Sequence, residues 1–395
     1  MKVEVLMMTT GFDDIDEIKQ YGSEKWYGLK EKFGTEDLIP LWVADMDFKA
    51  PQPVIERLTK VSQFGVYGNV KRTDNYYAAI INWMRKRYSW NIRKEWIGAG
   101  TRIIPSIGFA MRALTQPGDK VIIQPPVYDN FANIINKCGR EVVTNPLIFK
   151  DNKYYMDFID LEKKAQDPKV KMMIISNPHN PVGRVWSMDE LTELGRICIK
   201  HNIIVICDQA YADLTYPCVK YIPFASICED FAQNCITFSS LSKPFNLAGI
   251  HTAYAIIPNN DIHKAYDNFI ESLHLKRSSL FSLVATEAAY EEGEGWLNDV
   301  INYIYANLQY MKSFIEAHIP TIRVIEPEFA YLVWLDLRNI ATDPAQLDDF
   351  LVKKARLALN NGAMYGEGGH GFARVNIACP RKILEAALER IKNAV

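Results

Sequence analysis

The feature that most constrains the fold lies between about residues 95 and 285, where short apolar runs rich in β-branched residues alternate with longer amphipathic segments. Each run ends in polar or turn-forming residues. This alternation is typical of βα units that build a parallel sheet buried on both faces. The runs that predict strands are residues 121–124, 172–176, 203–208, 235–240 and 252–258.

Beyond about Thr286 the pattern changes. We predict a long, kinked helical stretch to His318, strands in IRVIEP, YLVWLDL and RVNIA, a helix near residues 345–359 and a last helix from Pro380. Between the strands of the first part, Ser187 and Glu190 form a capping-box pattern that opens a helix. The sequence therefore predicts an α/β chain with a large domain of residues 46–285, and a smaller α+β domain of residues 1–45 and 286–395.

Composition excludes several classes of protein. The 395 residues carry a formal net charge of −2 without a dense Lys/Arg run, which disfavours nucleic acid and anionic membranes as partners. No apolar run approaches a membrane span, and the N-terminus turns acidic before any stretch of signal-peptide length. Seven cysteines are scattered without a CxxC pair, so we expect reduced thiols, no metal site and a cytoplasmic protein.

Polar residues stand at or just after the ends of three successive predicted strands: Asn180, Asp208 and Lys243. Ligands of such sheets bind at the carboxyl ends of the strands. Any one of these residues alone is more often a cap, a turn or a surface residue. A pyridoxal cofactor needs an amine, an anion beside its pyridine nitrogen, and donors to its phenolic oxygen. Lys243, Asp208, and Asn180 with Tyr211 supply these groups, so the ordered set predicts pyridoxal 5′-phosphate.

Long motifs then connect the chain to a known family: IPLWVADMDF, TQPGDKVIIQPPVY, NPHNPVGRVW, IPFAS, SKPFNLAG, GEGG and NIACPR. Over nearly its whole length the chain resembles the MalY/PatB-type cystathionine β-lyase (C–S lyase) family, whose relatives include cystalysin. This family belongs to the fold-type I pyridoxal-phosphate enzymes. The resemblance implies that fold, with a mostly parallel seven-stranded sheet in the large domain, and a homodimer with shared active sites.

The resemblance also implies roles for individual residues around the cofactor ring. Lys243 would carry the cofactor as a Schiff base and act as the catalytic base, and Asp208 would face the pyridine nitrogen. Asn180 and Tyr211 would donate to the phenolic oxygen. Tyr128 would stack on the ring, although a core aromatic is its alternative interpretation.

Further implied roles concern the carboxylate and the phosphate. Arg374 would fork onto the substrate α-carboxylate, a geometry that suits guanidinium, and the backbone of Val43 and Ala44 would lie against the same group. The phosphate would lie at a helix N-terminus. Its predicted contacts are Thr101, Arg102 and Ile103, with hydroxyl donors from Ser239 and Ser242, for which simple turn capping is the alternative.

Several positions depart from the family pattern. Arg102 stands where the family has glycine, and its charge is a candidate to balance the phosphate, because His251 occupies the position of an arginine found in aminotransferases. Asn69 replaces a tyrosine that reaches the neighbouring subunit. Asp129 follows the stacking tyrosine, where it either favours a cationic substrate or, as we prefer, caps a helix. Tyr211, in DQAY, resembles the aminotransferases of the same fold.

Three functions are consistent with these residues. The first is α,β-elimination from an L-amino acid with a sulfur leaving group, such as cystathionine or a cysteine conjugate. The second is transamination, which uses the same residues. The third, and the least favoured, is a cofactor-bound regulatory protein with weak catalysis. The motifs favour the lyase, whereas Tyr211 and the unusual phosphate loop favour the aminotransferase.

Overall fold

The computed structural model describes residue 12, residues 22–217 and residues 219–395. Residues 1–11 and 13–21, which belong to the N-terminal part of the predicted smaller domain, and Cys218 lie outside the described residues. Among the described helices, none combines the length and the apolarity needed to span a bilayer.

Fifteen strands occur among the described residues, and several consist of only two or three residues. They are β1 (Ile39–Pro40), β2 (Ile97–Ala99), β3 (Lys120–Ile123), β4 (Glu141–Thr144), β5 (Ile148–Lys150), β6 (Lys153–Tyr155), β7 (Val170–Ser176), β8 (Ile204–Asp208), β9 (Cys235–Ser240), β10 (Ala253–Ile256), β11 (Arg323–Ile325), β12 (Leu332–Asp336), β13 (Leu357–Ala358), β14 (Asn360–Asn361) and β15 (Phe372–Asn376).

Fourteen α-helices connect these strands in the described part of the chain. They are α1 (Glu24–Tyr27), α2 (Leu29–Phe33), α3 (Gln52–Phe64), α4 (Asp74–Tyr88), α5 (Ile103–Leu114), α6 (Asn130–Lys137), α7 (Phe158–Ala165), α8 (Met188–Lys200), α9 (Glu229–Gln233), α10 (Asn260–Ser272), α11 (Leu280–Glu292), α12 (Glu294–His318), α13 (Pro344–Asp349) and α14 (Arg381–Ala394).

Seven strands form the large sheet, in the order β2-β10-β9-β8-β7-β3-β4. Neighbours from β9 to β4 are parallel, whereas β10 runs antiparallel to both β9 and β2. The prediction of a mostly parallel seven-stranded sheet is therefore confirmed, with β10 as the strand that the alternation pattern assigned to the wrong direction. Alternate side chains of the central strands enter two separate cores, because helices cover both faces.

Each core pairs one face of the sheet with particular helices. Ile174 and Ile206 pack with Phe131 of α6 and Tyr266 of α10. The opposite face joins the larger core, which includes Leu194 of α8, the helix that begins with the predicted capping box of Ser187 and Glu190.

A four-stranded antiparallel sheet, in the order β11-β12-β15-β14, is built from the C-terminal part of the chain. The predicted strands in IRVIEP, YLVWLDL and RVNIA correspond to β11, β12 and β15. The predicted kink in the long helical stretch falls at Gly293, which separates α11 from α12. The predicted helix near residues 345–359 is shorter, since α13 passes into a π-helical turn (Phe350–Lys354) and then into β13.

The N-terminal segment is tied to the rest of the molecule by a buried ion pair. Lys25 Nζ of α1 lies 2.7 Å from Asp47 Oδ2, and both side chains are 2% exposed. Burial raises the pKa of the Asp47 carboxyl even though Lys25 opposes the rise. Removing the two charges from water costs free energy, but each buried charge is compensated by the other.

Replacing one member of this pair is expected to be strongly destabilising. Asp47→Ala leaves the Lys25 ammonium buried without its partner, which lowers the free energy of unfolding by about 3–5 kcal/mol. Urea denaturation followed by circular dichroism measures the change. Asp74→Ala, which breaks the exposed pair with Lys94, is the control and is expected to have little effect. Equal losses in both variants contradict the assigned role of the buried pair.

Candidate active site

The side chain of Lys243 lies just beyond the end of β9, in a turn that projects it toward the N-terminal segment. Its Nζ donates to the carbonyl oxygen of Ala44 over 2.7 Å and lies 3.2 Å from Asp45 Oδ1. Burial lowers the pKa of the Lys243 ammonium; Asp45 opposes this, whereas Arg374 and Arg102 add to it. An amine with a lowered pKa is better suited to act as a nucleophile and as a base near neutral pH.

Asp208 is the last residue of β8 and is 8% exposed. Its Oδ1 accepts the backbone N–H of Ala210 over 2.9 Å. Burial raises the pKa of Asp208 to about 6, and Lys243 opposes the rise. A buried carboxylate of this kind gains stability from a cation placed beside it.

Arg374, in the middle of β15, joins the two sheets. Its Nη1 donates to Asn180 Oδ1 and its Nη2 to the carbonyl oxygen of Trp42, each over 3.0 Å. Its guanidinium carbon lies 5.3 Å from the centre of the Tyr365 ring. Among the described residues, its buried Nε has no hydrogen-bond partner. A buried guanidinium with a donor still unsatisfied is suited to binding a carboxylate from outside the chain.

Two aromatic side chains predicted for the site lie close to these charges. Tyr211 is buried, and its ring lies 5.6 Å from that of Phe329 and 6.1 Å from that of Tyr331. Burial raises its pKa well above the usual range, so its hydroxyl stays a donor. Burial also raises the pKa of Tyr128. The charge of Asp208 adds to this rise, whereas that of Arg374 opposes it.

The predicted phosphate-binding residues lie around the start of α5. Thr101 precedes the helix, Arg102 is its N-cap residue and Ile103 is its first residue. Arg102 has φ −140°, a conformation open to any residue, so the backbone there does not require the glycine of the family. Ser239 is buried in β9, and Ser242 Oγ lies 2.7 Å from Ser240 Oγ.

The backbone carbonyls of the N-terminal segment accept hydrogen bonds from side chains of the site. The carbonyl of Val43 accepts from Asn376 Nδ2 over 2.7 Å, and that of Ala44 accepts from Lys243 and from the Tyr331 hydroxyl. The carbonyl that accepts from Arg374 belongs to Trp42.

Sequence reasoning also missed Asp45. The signal was available, because Asp45 stands in the motif that supplied Val43 and Ala44. It is the carboxylate beside Lys243 in the structure.

The interpretation of Asp129 as a helix cap is wrong. The residue occupies the N-cap position of α6, but its side chain makes no capping hydrogen bond. Burial raises its pKa, while Arg374 and Lys32 lower it, so Asp129 belongs to the charge cluster of the site. Asn69, by contrast, is exposed and lies beyond the end of α3.

Comparison with known proteins identifies the family. The model of the family described as aminotransferase class I and II matches residues 36–391. The chain is 37% identical to cystathionine beta-lyase PatB of Bacillus subtilis, with 97% of this chain and 99% of that protein covered. It is 31% identical to protein MalY of Escherichia coli, over 97% of this chain and 99% of that protein.

Solved structures give the same result. Cystalysin from Treponema denticola, which contains pyridoxal 5′-phosphate, is 34% identical with a TM-score of 0.94, over 97% of this chain and 98% of that one. A PLP-bound putative aminotransferase from Clostridium difficile is 41% identical with a TM-score of 0.95, over 97% of this chain and 99% of that one.

The fold and the matched residues define the class: the chain belongs to the aminotransferase class I and II family, with the fold-type I architecture. Within that class, it belongs to the MalY/PatB-type C–S lyase family. The resemblance first seen in the sequence motifs is confirmed.

The raised pKa of Asp208 has a consequence for stability. The folded-state pKa of about 6 exceeds the usual value for an aspartate, so ionisation of Asp208 opposes folding. This cost is present above pH 6 and disappears as the pH falls toward 4. Asp208→Asn is therefore expected to raise the free energy of unfolding of the cofactor-free protein at pH 8 by up to about 2–3 kcal/mol.

Denaturation of the cofactor-free protein at several pH values measures this effect. The gain from Asp208→Asn is expected to shrink between pH 6 and pH 4. The exposed Asp230→Asn provides a control without such a dependence. A gain that does not vary with pH is inconsistent with a buried, ionised Asp208.

Proposed function

We propose that the protein is a pyridoxal-phosphate-dependent carbon–sulfur β-lyase that converts L-cysteine thioethers to a thiol, pyruvate and ammonia. The observation that carries the proposal is the convergence of a buried acid, an amine of lowered pKa and a buried, incompletely bonded guanidinium at the carboxyl end of one sheet. The names of the relatives support the reaction, since PatB is a cystathionine beta-lyase. Structural neighbours with the same fold bind the cofactor.

The residues fit the cofactor by the chemistry of their side chains. Asp208 offers the buried anion that holds a pyridine nitrogen protonated, and Lys243 the amine for the aldehyde. Asn180, through Nδ2, and Tyr211, through its hydroxyl, are the donors for the phenolic oxygen. The amides at the start of α5, with Ser239 and Ser242, are suited to the phosphate, and Tyr128 to the ring face.

Arg374 fixes the substrate in this site. Its guanidinium forks onto the α-carboxylate, and its Asn180 and Trp42 partners hold it in place. When bound, the cofactor would supply an aldehyde carbon, on which the substrate amine replaces the Lys243 amine and so frees it, and a ring that accepts electron density from Cα. Lys243 Nζ takes the proton from Cα, the Cβ–S bond breaks, and its electron pair leaves with the sulfur as thiolate. Water then hydrolyses the unsaturated product to pyruvate and ammonia.

Transamination is the second candidate, and Tyr211 favours it because DQAY resembles the aminotransferases of this fold. A neighbour at 41% identity is also described as a putative aminotransferase. Incubation with L-cystathionine, and separately with amino-acid and 2-oxo-acid pairs, distinguishes the two. Pyruvate and thiol formed without an acceptor indicate a lyase. Amino-group exchange that requires an acceptor indicates an aminotransferase, and inactivity in both assays contradicts both functions.

The roles of two side chains are testable in the same assay. Lys243→Ala is expected to reduce kcat by about 10²–10⁴-fold, because the proton acceptor is lost. Arg374→Lys is expected to reduce kcat/KM by about 10–100-fold, because an ammonium cannot replace a two-pronged contact. Arg323→Lys, an exposed arginine of the same small sheet, is the matched control. An Arg374→Lys variant with unchanged kcat/KM contradicts the carboxylate assignment.

We also propose that the protein is a homodimer and acts in the cytoplasm. The end of α3 and the segment that follows it support the dimer, because they expose Phe64 by 74%, Val66 by 61% and Tyr67 by 59%, next to Asn69. The described cysteines support a reducing compartment, because all six of them are free thiols.

The dimer is tested by light scattering after gel filtration. A mass of twice the 45.2 kDa of the chain is expected. Phe64→Ser together with Val66→Ser is expected to shift the protein toward monomer. Ile159→Ser removes an 87% exposed apolar side chain elsewhere on the surface and is expected to leave the dimer intact. A wild-type protein that elutes as a monomer contradicts the proposal.

A further inference from the structure

The amine of Lys243 and the carboxylate of Asp45 form an ion pair to which the proposed mechanism assigns no role. Lys243 Nζ lies 3.2 Å from Asp45 Oδ1 and donates to the carbonyl oxygen of Ala44 over 2.7 Å. Lys243 stands in the turn after β9, whereas Asp45 stands in the N-terminal segment, 198 positions away in the chain. The carboxylate is therefore brought to the lysine by the tertiary fold.

Side-chain amides from two other elements hold the backbone around Asp45. Asn376 of β15 donates through Nδ2 to the carbonyl oxygen of Asp45 over 2.7 Å. Asn246 accepts the N–H of Met46 through Oδ1 over 3.1 Å, and its Nδ2 donates to the carbonyl oxygens of Met46 over 3.0 Å and of Phe48 over 2.8 Å. The carboxylate thus extends from a fixed stretch of backbone, unlike an exposed ion pair in which both side chains must be ordered by the pair itself.

Asn246 connects the two members of the pair, because it follows Lys243 in the same turn. Its φ of +56° lies in the left-handed region, which asparagine adopts more readily than most residues. One side chain therefore fixes the turn of the lysine against the segment that carries Asp45. The short distance between the two charges is a built feature of the fold.

Other charged and titratable groups face the pair from the elements packed around it. They are Arg374 of β15, Arg102 at the start of α5, Asp208 at the end of β8, Tyr211 after β8, Tyr331 of β12 and Asp47 of the N-terminal segment. Burial, followed by the two arginines, lowers the pKa of the Lys243 ammonium, and Asp45 opposes them. Among the described residues, Asp45 is the carboxylate that forms an ion pair with Lys243.

We propose that Asp45 is a positioning residue for the catalytic base, which holds the free Lys243 side chain beside the carbonyl of Ala44 and stabilises its ammonium form. Lys243 is free in the cofactor-free chain, and again once the substrate amine has replaced it on the cofactor. In the second state the proton of Cα moves to Lys243 Nζ, and the electron pair of the C–H bond stays with the substrate. The new ammonium then lies beside Asp45, which gains no proton. This inference rests on the proposed role of Lys243 as the base.

The pH dependence of Lys243 acylation tests this role without substrate turnover. The cofactor-free protein is treated with acetic anhydride at a series of pH values. Mass spectrometry of the peptide that contains Lys243 gives the rate of acetylation at each pH. Because the neutral amine is the reactive form, the midpoint of the profile reports the protonation of Lys243.

Asp45→Asn is expected to lower that midpoint by about one pH unit or more, because the ammonium loses its counter-ion. Below both midpoints, Lys243 of the variant is then acetylated up to about tenfold faster than in the wild type. A loss of local structure has the opposite effect, since exposure to water raises the midpoint toward that of an ordinary lysine. Asp45→Glu keeps the charge and is expected to retain most of the wild-type midpoint. Glu36→Gln, which changes an exposed carboxylate of the same segment, is the control without effect.

A second variant leaves the carboxylate in place and removes the amide that holds its backbone. Asn246→Gly permits the left-handed backbone but deletes the three hydrogen bonds to Met46 and Phe48. The carboxylate is then no longer held against the amine, so the midpoint is expected to fall in the same direction by a smaller amount. This variant decides the question if Asp45→Asn does not fold.

The remaining outcomes separate this role from the lyase function. A midpoint that is unchanged or higher in Asp45→Asn overturns the proposal, and so does an equal fall in Asp45→Glu. In the holoenzyme, the acid limb of the kcat profile with L-cystathionine is expected to move to lower pH in Asp45→Asn, because the base is protonated less readily. If L-cystathionine yields no pyruvate, the lyase function fails, and the acetylation profile still decides the role of Asp45.

Discussion

The structure depends on the cost of holding charged groups away from water at the carboxyl end of a buried sheet. Asp208 and Arg374 are both almost fully buried, and burial also lowers the pKa of Lys243. Isolated charges in such surroundings are unfavourable, so the chain surrounds them with partners of complementary charge or with backbone dipoles. The carbonyls of residues 42 and 44 and the amide of residue 210 serve this purpose.

That requirement explains why the two sheets must meet. The large sheet places Asp208 and Asn180 at its carboxyl edge, but the arginine that complements them comes from β15 of the small sheet. The Arg374–Asn180 hydrogen bond therefore connects residues 194 positions apart in the chain. The site is a property of this junction and not of either sheet alone.

Much of this arrangement was readable from the sequence, because the central strands are apolar on both faces and end in polar residues. Four of the five predicted strands lie in the parallel part of the sheet, and Lys243, Asp208, Asn180 and Arg374 come together as expected. The direction of β10 was not readable, since an apolar strand has the same pattern in either direction. The short strand β2 carries too few residues to show a period.

The errors near the site have a similar cause. Asp129 was assigned to a cap because helix starts favour aspartate, but its side chain responds to Arg374 and Lys32, which are distant in the sequence. The hydrogen bond from Arg374 to the carbonyl of Trp42 was also not predicted, because the local backbone path decides which carbonyl meets the guanidinium and the residue pattern carries no information about it.

The segment from Trp42 to Met46 has one more consequence. Trp42 offers its carbonyl to the arginine, Ala44 offers its own to the lysine, and Met46 is held by both polar atoms of the Asn246 amide. Two residues of chain span at most about 7 Å. The segment therefore limits how far apart the guanidinium of Arg374 and the amine of Lys243 can lie, because each of them donates to a carbonyl of the same three-residue stretch.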